Sequence, residues 1–331
     1  MNLRLWRAVA AVAVFSGLIP VPAARAVECV TQSQMKPADR DALAQAARAL
    51  AANVQANNPA GIKAETIATV AAQFDSIAAS IQTVASQIQG ATLTVNALYK
   101  LNASDLKSPQ DETQFFCGVS MSSMRVDINI PQLPPGDYAL AILRATGVAH
   151  PQQMTMILQD EGGKWRLAGF FARPLMAAGH DGVWYWKQAR DYAQKKQNWN
   201  AYFYYQTAAY LLAPVDFLVS PNLEKLQNEQ GTVAPSGLPA AQPMTISSGG
   251  QSYSVTNLHT DGSLGGLDLV ISYQGENISD PVATRTRNVD LMKTMLTAHP
   301  ELREAFHGLW VYADAGNQRP FANELPMSQI Q

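Results

Sequence analysis

The chain has 331 residues, Lys+Arg 24 against Asp+Glu 26, two cysteines, 47% apolar residues and only 15% charged ones. Soluble domains ordinarily carry about 25% charge, so the core content is normal and the charged coat is thin. The length predicts two or three domains, the near-zero net charge argues against a nucleic-acid binder, and two cysteines exclude a zinc ribbon or a disulfide framework.

Residues 1–26 have the pattern of a secretory signal peptide. Arg4 and Arg7 give a positive start, an apolar run follows from Ala8 to Ile19, Pro20-Val21-Pro22 breaks it, and Ala24-Arg25-Ala26 supplies a small-x-small cleavage site. The run is too short to span a bilayer, which takes about 20 apolar residues. Glu28 rather than a small residue precedes Cys29, which argues against lipidation. Cleavage removes three arginines and no acid, leaving a modestly acidic chain with no later membrane span. The expected address is therefore secreted or periplasmic. In that oxidising setting Cys29 and Cys117 are a candidate disulfide, the alternative being two separate buried thiols.

Residues 27–38 are polar and read as irregular. The domain expected over 39–180 opens with an Ala-rich helix, where Leu43, Ala47, Leu50 and Val54 share one face. After Asn57-Asn58-Pro59, the residues Ile67, Val70, Phe74, Ile77, Ile81, Val84 and Ile88 recur in steps of three and four, ending at Gly90. The flanks of this seam (Ala71, Ala78, Ala85, Gln73, Ser80, Gln87) are small or uncharged, which suits a helix pressed onto another element rather than a free coiled coil. The period then changes to two at Leu93, Val95, Ala97, Tyr99 and Leu101. Further strands are expected over 113–119, 124–130, 138–146, 153–159 and 164–172, the last two joined by the turn Asp160-Glu161-Gly162-Gly163. Helices followed by antiparallel strands are an α+β order.

The helical prelude and the closing stretch Met156–Pro174, with its acidic-Gly turn and Trp165-x-Leu167-x-Gly169-Phe170, resemble the cystatin-like, nuclear-transport-factor-like fold. That resemblance covers residues 39–174 and implies a curved antiparallel sheet around a cone-shaped pocket. A competing resemblance lies in Leu133–Ile142, whose Pro-Pro-Gly-x-Tyr run is similar to hairpins of transthyretin-like β-sandwiches. Some nuclear-transport-factor-like members are isomerases or hydrolases with an aspartate base and a tyrosine donor. Asp127 and Tyr138 are the nearest matches, although Asp127 alternates with Arg125 and Asn129 on what reads as a solvent face.

Over 181–230, Tyr185, Ala189, Tyr192, Ala201, Tyr205 and Ala208 have the spacing of a tetratricopeptide repeat, with Pro214 near its close. A single repeat implies a helical hairpin docked on the preceding domain rather than a solenoid. Asp181 is placed to cap its first helix, and Ser220-Pro221 opens a third helix as its cap. Residues 231–245, rich in proline and glycine, read as a linker. Residues 246–331 read as a small β-β-α-β domain, with Asp280 capping a helix that begins at Pro281.

Motifs for zinc proteases, serine hydrolases, phosphate-binding loops, CxxC redox pairs and dinucleotide folds are missing from the sequence. Gly262-Ser263-Leu264-Gly265-Gly266 reads as a turn, and Ser104-x-x-Lys107 lacks the partner motifs of penicillin-binding enzymes. None of the five histidines has a histidine or cysteine at i+2 or i+4, His259 with Asp261 being the nearest metal-like pair. Asn102 and Asn277 fit the glycosylation pattern without a sign of its use. No metal and no cofactor are expected.

The concentrated feature is aromatic: of 27 rings, ten lie between Trp184 and Tyr210. A two-helix hairpin cannot bury ten rings in itself. They form an interdomain core or a groove for a peptide or glycan, for which Trp184, Trp186, Trp199, Tyr202 and Tyr204 are the candidate binding residues. The functional expectation is an exported, non-enzymatic binding or scaffold protein whose partner is a protein, peptide or cell-envelope component. The alternative is small-molecule binding or isomerase or hydrolase chemistry in the sheet domain, and a third reading makes 246–331 a docking module.

Overall fold

The computed structural model describes residues 27–118, 125–248, 250–275, 277–316 and 318–331, so the expected signal peptide lies outside the described residues. The architecture is α+β with antiparallel sheets. Chain entry differs from expectation: Glu28–Thr31 forms strand β1 rather than irregular chain. Helix α1 (Pro37–Gln55) carries Pro37 in its first turn and buries Leu43, Ala47, Leu50 and Val54. The seam expected as one helix is divided, after α2 (Pro59–Ala64), into α3 (Ala68–Ala71) and α4 (Asp75–Gln87). The start of the seam is tethered to the sheet, ahead of α3: Ile67 N–H donates to the Leu167 carbonyl, and Leu167 N–H donates to the Glu65 carbonyl. Phe74, Ile81, Val84 and Ile88 still face inward.

The helices cover one face of a five-stranded sheet that also contains β2 (Thr92–Asn102), β5 (Asp137–Thr146), β6 (Gln152–Asp160) and β7 (Trp165–Pro174), in the order β1-β2-β5-β6-β7. Strand β5 shows the period of two on both sides. Ala139, Ala141, Leu143 and Ala145 pack under the helices, whereas Tyr138, Leu140 and Ile142 enter a second core. That second core is roofed by β3 (Glu112–Gly118) and β4 (Arg125–Pro131), together with β10 (Leu218–Val219), which returns from beyond a short β8–β9 hairpin (Met176–Ala177, His180–Asp181) and the helices that follow it. Cys29 of β1 and Cys117 of β3 are joined as a disulfide with Cα atoms 5.1 Å apart, tying the sheet edge to this roof.

Helices α5 (Gly182–Gln194), α6 (Asn198–Leu212) and α7 (Pro221–Val233) occupy the expected positions. Their starts follow local chemistry: the Asp181 carboxylate accepts the Trp184 N–H at 2.8 Å and the Ser220 hydroxyl accepts the Leu223 N–H at 3.4 Å. The docking partner differs from expectation. The rings of α5 and α6 join the hydrophobic cluster of the following sheet, not chiefly that of the preceding domain.

That following sheet is larger than β-β-α-β. It contains β11 (Met244–Ser248), β12 (Gln251–Asp261), β13 (Asp268–Gln274), β14 (Gly308–Asp314) and β15 (Phe321–Pro326), in that order. Helix α8 (Pro281–Ala298), capped by Asp280 as expected, and the short α9 (Leu302–Ala305) form the crossover between the parallel pair β13 and β14. The buried Asn288 fastens α8 to the sheet: it accepts the Tyr273 hydroxyl at 2.9 Å and donates to Asn323 Oδ1 at 2.7 Å. β11 and β15, both outside the expected pattern, are the edge strands.

Candidate functional site

The structure spends most of the ring-rich hairpin on packing. Trp199 and Tyr204 are buried, and Trp184, Trp186 and Tyr202 are half-buried. Trp184 stacks on His180 with ring centroids 3.7 Å apart. Trp186 donates its indole N–H to Glu229 at 2.7 Å, and the Arg190 guanidinium lies over its ring while donating two hydrogen bonds to the same carboxylate. That fork holds the Glu229 carboxyl below the usual carboxylate range. Of the ten rings, Tyr210 alone is exposed, at 50%, and it lies beneath the Arg173 guanidinium.

Tyr204 faces the crossover. Its hydroxyl donates to the Ala305 carbonyl, its neighbours are Tyr185, Tyr192 and Phe306, and burial drives its pKa strongly upward. Burial pushes Tyr185 and Tyr205 up to about 12. Around this hydrophobic seam runs a polar border, with Asn200 Nδ2 donating to the Glu301 carbonyl and Lys195 and Gln197 both bound to Glu304.

Trp199 reaches the edge of the seam and there contributes to a groove of about 860 Å³. The groove is bounded by Trp199 and His299, whose rings lie 3.9 Å apart, by Ala234–Gly237 of the former linker, and by Met244, Thr245 and Ile246 of β11. Burial lowers the His299 pKa, which the Glu301 carboxylate opposes, so the ring is set up as a neutral aromatic wall. Such a groove can bind a chain.

The pair suggested by the nuclear-transport-factor-like resemblance is not brought together as an acid and a donor. Tyr138 is packed in the core between the sheet and its β3–β4 roof, and Asp127 is held by Arg125 at 2.7 Å beside a smaller surface groove. Ser263 bonds to Asp261 in a turn, and Ser104 bonds to Asn102 in another, as turn chemistry requires.

Three residues without a sequence motif do converge. Asp268 at the start of β13, His307 before β14 and Glu324 of β15 offer ligand atoms that all lie within 4.8 Å of one another. His307 Nδ1 is 3.1 Å from Asp268 Oδ1. Desolvation pushes the Asp268 carboxyl up, with His307 and the Gly308 amide pulling the other way, and desolvation followed by the charge of Asp268 pushes Glu324 up. Neither carboxylate is paired with a lysine or arginine among the described residues. No sequence motif marks this cluster, because its members are far apart in sequence and meet only through strand register.

Compared with known proteins, the chain matches no family model, no curated protein and no solved structure.

Proposed function

We propose that this chain is an exported, non-enzymatic binding protein that takes up an extended peptide segment of its partner along the edge of β11. One observation carries the reading. Met244, Thr245 and Ile246 line the groove as three consecutive residues, whereas a strand presenting a face would contribute only alternate ones. The groove wall is therefore the strand's edge. β11 is the terminal strand of its sheet, and such an edge offers main-chain N–H and C=O groups that pair with an added strand. Trp199 and His299 supply an aromatic surface for one of the incoming side chains.

Export is supported by the Cys29–Cys117 disulfide, a bond that persists in oxidising compartments, and by the leader-like composition of residues 1–26. Among the described residues no helix is long and apolar enough to cross a membrane.

The test is selection of linear peptides from a random display library on the purified protein. Enriched peptides are expected to lose affinity when alternate backbone nitrogens are methylated and when Trp199→Ala replaces the ring. Failure to enrich any peptide, or peptides indifferent to both changes, would overturn the reading.

A further inference from the structure

The carboxylate and imidazole cluster lies apart from the peptide groove, and its surroundings are built to bring the three groups together. His307 is pinned on two sides by its own backbone. Its N–H donates to the Leu267 carbonyl at 2.8 Å, next to Asp268, and its carbonyl accepts the Met327 N–H at 2.8 Å, just beyond the strand carrying Glu324. Register does the rest: Gly308 lies opposite Pro326, and Trp310 lies opposite Glu324.

Two glycines clear the space. A Cβ on Gly308 would stand 2.8 Å from Glu324 Oε1 and 3.0 Å from Asp268 Oδ1, as well as 2.6 Å from the Leu325 carbonyl oxygen. A Cβ on Gly266 would stand 2.3 Å from the Cβ of His307. Neither position is in the left-handed region, so the demand for glycine is for room, not for backbone freedom.

The donor atoms are left wanting. The Asp268 side chain is 0% exposed, yet its Oδ2 has no hydrogen-bond partner, and the buried Glu324 Oε1 has none either. A buried carboxylate is costly unless paired or bound to a metal. Asp261, which pairs with Asp268 in the β12–β13 register, adds further negative charge nearby. The only group in the cluster able to carry positive charge is His307, whose side chain is 48% exposed and leaves the site open on one side.

We propose that Asp268, His307 and Glu324 form a binding site for a first-row divalent cation, zinc above all. One imidazole nitrogen with two carboxylates is a donor set for zinc, whereas calcium seeks six to eight oxygens and magnesium keeps most of its waters. At zinc–ligand distances of about 2.0–2.1 Å, two tetrahedral donors stand about 3.3 Å apart. The 3.1 Å between His307 Nδ1 and Asp268 Oδ1 is already close to that spacing. Three protein ligands leave a coordination position for water or for a group of a bound partner.

The experiment is calorimetric titration of the full chain, stripped with a chelator, with zinc chloride and separately with magnesium and calcium chloride. Zinc is expected to bind with one ion per chain, and Asp268→Asn, Glu324→Gln, His307→Gln and Gly308→Ala should each weaken it by roughly tenfold or more. Cobalt(II) provides a spectroscopic check, since its visible bands should appear in the parent protein and vanish in His307→Gln. His307 is half exposed, so that variant remains informative even where a change at the buried Asp268 impairs folding. Absence of zinc binding in the parent protein, or binding unchanged in His307→Gln, overturns the proposal. Magnesium or calcium binding in preference to zinc overturns its choice of metal.

Discussion

The hydroxyl of Tyr204 donates to the carbonyl oxygen of Ala305 at 2.6 Å, joining α6 to α9 across 101 positions of sequence. Both groups are buried, so the bond has no water to replace it. Tyr204→Phe keeps the ring among Tyr185, Tyr192 and Phe306 but strands the carbonyl. The expected cost is about 1–3 kcal/mol, read as a lower denaturation midpoint in urea with an unchanged slope.

The disulfide closes a loop with a sequence separation of 88 residues. In the chain-entropy account, a loop of that order restricts the unfolded chain by roughly 4–5 kcal/mol. The double variant Cys29→Ser, Cys117→Ser is expected to lose most of that stability, and the parent protein, its only two cysteines being bonded, should release two thiols only on reduction. Comparing urea melts of the parent protein with and without a reductant checks the same figure independently.

High pH should destabilise the hairpin before it exposes all of its tyrosines. The Tyr185 hydroxyl moves from 10.0 to about 12 through burial, so the folded state holds a proton that the unfolded chain releases. This contribution to stability is whole below pH 10 and is lost as pH rises toward 12. Tyrosinate absorbance followed against pH should show a late-ionising fraction, and thermal midpoints should fall across the same interval. Complete ionisation of all tyrosines near pH 10 with the fold intact would contradict it.

A chain ending at residue 245 should fail to behave as a folded protein. It would bare Phe203, Tyr204 and Ala208, which share their hydrophobic cluster with Leu258, Leu269 and Phe306. The expected outcome is strong binding of a hydrophobic dye and concentration-dependent aggregation. A cooperative melt with no dye binding would show instead that the hairpin is self-sufficient.

What was legible in the sequence was local. The α1 stripe, the strand over 138–146 and the caps at Asp181, Ser220 and Asp280 are each decided by neighbours within a few residues, and each is present. The edge strands were not legible. Glu28–Thr31 and Phe321–Pro326 carry no clean alternation and are strands because a partner strand offers its edge to them. The separation of α2 from the seam that follows was hidden in the same way, since residues 65–67 between them are tethered to Leu167, far along the chain. For the site the difference is sharper. Aromatic enrichment marked Trp199 and Tyr204 but could not say which sheet they would meet, and nothing in the spacing of Asp268, His307 and Glu324 marked them as neighbours. Gly266 and Gly308, each beside a cluster member, were the nearest thing to a signal, and their meaning depends on register.

Helix α6 has a timetable written into it. Trp199, Asn200, Ala201, Phe203, Tyr204, Tyr205, Thr207, Ala208 and Leu211 are all buried, so little of its circumference is suited to water. A growing chain completes this helix about a hundred residues before it completes β14, against whose sheet the helix's cluster closes. At synthesis rates of about 5–20 residues per second, that is an interval of about 5–20 seconds. During it the most ring-dense stretch of the protein lacks the completed sheet that closes its cluster. Whatever keeps the nascent chain from self-association must act at this stretch and within this interval.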